Sequence, residues 1–266
     1  MDANIFGGDG CFDASGESMN GWTAILLALV LSSANVLAAD NSVLESMQAA
    51  ADVALQTDPA SSFWSLAQPA YLERDKQGNT SSPLRCEVRT RWTKENLYFL
   101  FISPYDVLYL KPSPTVARET NELWNWDVAE VFIGSDFDEI KHYKEFEVSP
   151  QGEWVDLDID LRKPHHEDGW TWNSGFAVST RIDAAKHIWY AAMRIPVAAI
   201  DKRPPAAGNQ FRMNLFVSEG PPVNHHALTW QPPMSNTFHV PERFGLLQLV
   251  SEKPAGWSSR GTLLPN

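Results

Sequence analysis

Residues 122–134, ELWNWDVAEVFIG, set two tryptophans, Trp124 and Trp126, directly before a β-strand pattern rather than inside it. Strand side chains alternate between two faces, so Ala129, Val131 and Ile133 share one face while Glu130 stands between Val128 and Phe132 on the other. A carboxylate flanked by apolar neighbours requires a partner or a ligand. An indole at the strand entrance with a carboxylate close behind it suits a sugar: the ring stacks on the C–H face of a pyranose, and the acid accepts from its hydroxyls. Trp124 and Glu130 supply both groups. The alternative is that both indoles cap the end of the core, the commoner use of tryptophan.

The same period-two style extends along the chain. RCEVRTRW puts Cys86, Val88, Thr90 and Trp92 on one face and Arg85, Glu87, Arg89 and Arg91 on the other, a half-buried strand. LYFLFIS is apolar on both faces and reads as a central strand. KEFEVS and WVDLDIDL flank the turn PQGE, FAVSTRI and IWYAAMRI flank DAAKH, and FRMNLFVS, HALTW and GLLQLV follow. Many strands at short spacing predict an all-β fold, an antiparallel β-sandwich of jelly-roll type with minor helix. SVLESMQAAA has capping-box spacing at Ser42 and Glu45 and reads as a short helix or an Ala-rich spacer. The only other helical candidate is a brief turn near VAAID.

The chain has 266 residues, enough for one large domain or two small ones. Its 11 Trp, 13 Phe and 6 Tyr are a rich aromatic inventory for that length. A net charge of −12 argues against nucleic acid, whose backbone must be met by Lys and Arg.

At the N-terminus, WTAILLALVL is an uncharged apolar run followed by the small residues of SSANVLAAD, which predicts a signal peptide over residues 1–38, cut after Ala38. The run is too short to span a bilayer, so no membrane partner is expected after cleavage. No Lys or Arg precedes it, and Met19 reads as the true start. The cut removes four acids and takes the charge from −12 to −8. It also removes Cys11, leaving Cys86 as a core thiol with no partner for a disulfide. The expected product is exported, periplasmic or extracellular. It comprises a spacer and first strand over 39–62, a sandwich over 63–250 and a tail over 251–266.

Familiar catalytic signatures are absent: there is no G-x-S-x-G, phosphate-binding glycine loop, H-E-x-x-H or C-x-x-C. The adjacent pairs His165-His166 and His225-His226 are poor chelates, since neighbours in extended chain point apart, and both read as loop surface. Asp156, Asp158 and Asp160 alternate with Val155, Leu157, Ile159 and Leu161. Three such carboxylates read as the wet face of a sheet or as a Ca²⁺ site, with the wet face the simpler reading.

LWNWDVAEVFI resembles the W-x-x-D-x-(V/A)-E-(V/I)-F-(I/L) segment of family 9 carbohydrate-binding modules. LTWQPPMSNTFHVPERFGLLQL is similar to the family's closing segment, and RTRWTKENLYFLF to its early hairpin. The matches run from about Phe63 to Val250. The resemblance implies a β-sandwich that binds sugar between two aromatic side chains, without catalysis or cofactor, and it admits structural Ca²⁺. Carried over by position, it makes Trp124 one stacking ring, Phe238 the second where the family has an indole, and Glu130 the hydroxyl-binding acid. Asn236 lies beside the second ring. Asp127, within the motif, and Glu147, where a basic residue is expected, complete the implied carbohydrate site.

Two other classes stay open. A hydrolase would pair Glu130 or Glu147 with a strand aspartate across a cleft, at ~5–5.5 Å for a retaining glycosidase. A haem-binding sandwich would draw on Met193, Met213, Met234 and His239, although scattered methionines are usually core filler.

Overall fold

The computed structural model describes residues 42–80 and 84–252. The predicted signal peptide, Met19, Cys11 and most of the expected tail lie outside these residues.

The described chain is built from twelve strands and very little helix. The strands are β1 (Val43–Gln48), β2 (Pro69–Leu72), β3 (Cys86–Trp92), β4 (Asn96–Pro104), β5 (Val128–Gly134), β6 (His142–Val148), β7 (Trp154–Asp160), β8 (Ala177–Asp183), β9 (Ile188–Pro196), β10 (Gln210–Glu219), β11 (His226–Thr229) and β12 (Gly245–Val250). One four-residue helix, α1 (Ser62–Ser65), and short 3₁₀ turns complete the description; one turn, Val197–Ala199, falls where VAAID was expected to turn. No helix among the described residues is long and apolar enough to cross a membrane.

The strands pair in the order β7-β6-β5-β10-β12-β1-β3-β4-β9-β8, with β11 on β10 and β2 on β3. This corrects the expectation of a purely antiparallel sandwich. β1 runs parallel to both β12 and β3, so two antiparallel groups join into one mixed sheet. It also corrects the helix or spacer reading of SVLESMQAAA. Six residues of middling propensity become a strand because β12 and β3 offer hydrogen-bonding edges on both sides, a tertiary gain that outweighs local preference. Ser46 fits there by bonding Thr90, hydroxyl to hydroxyl, at 3.0 Å.

Both strand groups contribute to one main core, in which Val131, Ile133 and Phe146 pack in the same cluster as Val88, Phe99 and Met193. Cys86 lies there fully buried with a free thiol, as expected, and burial pushes that thiol up in pKa. Arg91 departs from its expected wet face. It is 2% exposed, and its guanidinium donates to the carbonyls of Met47, Phe63 and Gln48 at 2.7–3.0 Å, tying β3 to β1 and α1.

A second, smaller apolar cluster forms on the other face of β5, β6, β7 and β10. It contains Val128, Phe132, Tyr143, Leu157 and Phe216. Leu157 is buried here rather than in the main core with Cys86, Val88 and Phe99.

Candidate functional site

The register of four strands sets the floor of the site. Glu130 on β5 pairs with Glu147 on β6 and with Phe216 on β10, and Phe132 pairs with Glu145 and Asn214. Side chains directly opposite in neighbouring strands share a face, so three glutamates emerge beside the second apolar cluster. The sequence alternation that isolated Glu130 between Val128 and Phe132 therefore holds, and β6 adds two more acids to the same face.

The entrance to β5 explains why the tryptophans precede the strand. Glu122 adopts a left-handed φ of 59° and opens a 3₁₀ turn, Leu123–Asn125. The turn sends consecutive side chains different ways: Leu123 is fully buried in the second cluster, and half-buried Trp124 projects into a cavity of ≈ 510 Å³. Trp126 lies off that cavity, half-buried, with the Lys111 ammonium 5.7 Å from its ring centre.

Trp124, Glu130, Asn236 and Phe238 line this one cavity, although more than 100 residues of chain separate the two pairs. Phe238 stacks on Phe216 with ring centres 4.1 Å apart and 10° between planes, and the Lys76 ammonium sits 4.6 Å from its centre. Lys76 also donates to the Asn236 carbonyl at 3.2 Å. None of the ring or cation–π contacts among the described residues involves Trp124, which leaves it the less encumbered of the two rings.

Asp127 and Glu147 stand behind the wall rather than on it. Asp127 is fully buried and accepts from the Tyr109 and Gly220 amides, each at 2.8 Å, so it ties two loops to the start of β5. Burial pushes its carboxyl up to about 6. Glu147 is also fully buried and meets Glu130 and Glu145 beneath the cavity floor.

Several wall residues escaped sequence reasoning. Glu145 lines the cavity beside Glu130, and Lys76, His166, His225 and His239 line it too. The histidine pairs were read as loop surface; His165 and His225 are exposed on loops, His166 lies in a 3₁₀ turn and His226 opens β11, and one member of each pair, His166 and His225, also lines the cavity. His239 holds a hydrogen bond of 2.6 Å between its Nδ1 and the Tyr143 hydroxyl, and its ring centre is 4.5 Å from that of His166. Burial lowers its pKa to about 4, with the charge of His166 adding to the effect.

The electrostatics of the floor are dominated by burial. Glu130, Glu145 and Glu147 are each at most 4% exposed. Desolvation, reinforced for Glu130 and Glu147 by neighbouring carboxylates, pushes Glu145 up to about 7 and holds the other two well above the usual carboxylate range.

The strand aspartates do not combine into a calcium site. Asp158 pairs with Lys144 and with His142, Asp160 with Arg162, and Asp156 accepts from the Ser174 amide and hydroxyl. Asp156 is fully buried, which corrects its wet-face reading. The candidate haem ligands are scattered as well: Met193 and Met213 lie in the main core, Met234 is 52% exposed, and His239 is in the cavity wall.

Among the described residues, twelve strands with little helix and an aromatic and carboxylate-lined cavity define the class of protein, an all-β fold with a lined site. The chain belongs to the carbohydrate family 9 binding domain-like family, whose model matches residues 59–252. Among solved structures it is similar to a family 9 carbohydrate-binding module from Caldicellulosiruptor kristjanssonii. With cellotriose bound, that module gives 14% identity, 84% coverage of this chain, 99% of the other and a TM-score of 0.56. The same kind of module with glucose gives 14% identity, coverages of 79% and 97% and a TM-score of 0.55. A protein from Bacteroides uniformis described as a candidate carbohydrate binder gives 16% identity, coverages of 78% and 98% and a TM-score of 0.62. At such identities the likeness shows the fold alone. No curated protein matches the chain.

Proposed function

We propose that this chain binds carbohydrate without catalysis, in the cavity between Trp124 and Phe238. The observation that carries the reading is that Trp124, Glu130, Asn236 and Phe238, drawn from two distant segments, line one cavity. Membership of the family supports the ligand class, as do the glucose and cellotriose bound by the Caldicellulosiruptor modules. In this reading Trp124 is the stacking ring. Phe238, backed by Phe216, forms the opposite wall, and Lys76 and Glu130 meet hydroxyls.

Sheet register favours binding over hydrolysis. A hydrolase would need Glu130 or Glu147 opposed to a strand aspartate. Asp156 instead pairs with Phe146, whose side chain is in the main core, whereas Glu130 and Glu147 emerge on the other face. The three glutamates stand side by side, with an oxygen of each within 4.8 Å of the others, and do not flank a cleft.

Calorimetric titration of the purified chain against glucose, cello-oligosaccharides and a panel of other mono- and oligosaccharides tests this function. Saturable binding of at least one sugar is expected; silence across the panel would leave a family fold with another ligand. The apolar run before Ala39 further supports export. N-terminal sequencing of the exported protein should begin near Ala39, and retention of Met1 or Met19 would contradict it.

A further inference from the structure

We propose that Glu130, Glu145 and Glu147 form a site for one divalent, oxygen-seeking cation, with Ca²⁺ the best fit, in the floor of the cavity. One oxygen from each carboxyl lies within 4.8 Å of the other two. Oxygens held 2.3–2.6 Å from a shared Ca²⁺ lie roughly 5 Å apart at most, so the three already have the separation a common ion needs.

Independent of this spacing is the state of Glu147. It is 0% exposed, and its carboxyl oxygens find no hydrogen-bond partner outside the three glutamates, Glu145 being the one side chain near enough to share a proton with it. Glu145 Oε2 is buried and likewise finds no partner outside the three glutamates. Among the described residues Glu130 accepts from the Ser218 hydroxyl alone, at 3.2 Å. No Lys, Arg or His forms an ion pair with any of the three among the described residues, and the nearby Lys76 ammonium is engaged by Asn236 and Phe238. Buried carboxylates are ordinarily paired or coordinate a metal, and an orphan group in that position carries its full desolvation cost.

The donor set is all oxygen and offers neither thiolate nor imidazole, which selects a hard cation over zinc or copper. Glu130 and Glu145 line the cavity while Glu147 lies beneath it, so an ion held by the three would be enclosed from below and open to the cavity above. Its remaining coordination positions could then take water or ligand hydroxyls. The cation site itself does not rest on the carbohydrate reading; only that last contact does.

The test uses the full chain, stripped with EDTA and free of sugar, titrated calorimetrically with CaCl₂, MgCl₂ and MnCl₂ beside thermal melts. One Ca²⁺ per chain and a rise in melting temperature are expected. Glu147→Gln and Glu145→Gln should each lose that uptake, while Asp136→Asn, at an exposed acid that bonds only backbone amides, should keep it. Gln fills the volume of a protonated acid, and native mass spectrometry shows whether each variant is folded. No uptake by the wild type, or uptake unchanged in both Gln variants, would overturn the site. A sugar panel that fails while Ca²⁺ still binds would overturn the carbohydrate reading alone.

Discussion

At the residue scale, the cavity wall joins groups that sequence shows well to groups it hides. Glu130 was legible because alternation within one strand fixes its face. Glu145 and Lys76 were not, because their place depends on pairing between strands and on a loop 160 residues away in sequence from Asn236. His239 shows what such placement does. It is held neutral against the Tyr143 hydroxyl, with His166 and Glu167 as the titratable groups facing it, and its pKa is lowered to about 4. The unfolded chain takes up this proton as pH falls through about 6.5, whereas the folded chain waits until about 4. His239 by itself therefore lowers stability across that window, opposite in sign to the buried carboxyls whose raised pKa values favour the fold as pH falls, so the wild type should lose stability relative to His239→Gln. Denaturant melts of both proteins at pH 7, 5.5 and 4.5 check this; parallel pH profiles would contradict it.

At the scale of elements, most strands were legible because period-two patterning fixes both type and face. β1 was not, since VLESMQ has no strong alternation and becomes a strand only between β12 and β3. The same contact explains Gly245. A Cβ there would meet the Ser42 carbonyl at 2.6 Å and the Trp230 ring at 2.7 Å, so the glycine serves a close approach where β12 meets the start of β1. The second apolar cluster depends on β7, whose Leu157 is 1% exposed. Leu157→Ala should cost ~2–5 kcal/mol, the lost transfer energy plus a cavity. Urea denaturation measures it, and a loss under about 0.5 kcal/mol, the size of an ordinary surface change, would show that this cluster is not a second core.

At the scale of the whole molecule, the mixed sheet brings residues 122–134 and 236–239 to one cavity, which neither segment could form alone. The family resemblance was legible because both segments carry motif residues. The sharing of the floor by three acids was not, because β5 and β6 must pair before it exists. The central claim is that Trp124 presents a ring to sugar while Trp126 supports the loop, and the most direct measurement is calorimetric titration of Trp124→Ala with a sugar the wild type binds. The account predicts that most of the affinity is lost, ~2 kcal/mol or more for a stacking ring at a binding hot spot, with little change in melting temperature. Trp126→Ala, measured beside it, should lose stability and keep its affinity when folded. Unchanged sugar affinity in Trp124→Ala, or a fall in its melting temperature alone, would contradict the account and make this tryptophan part of the second core.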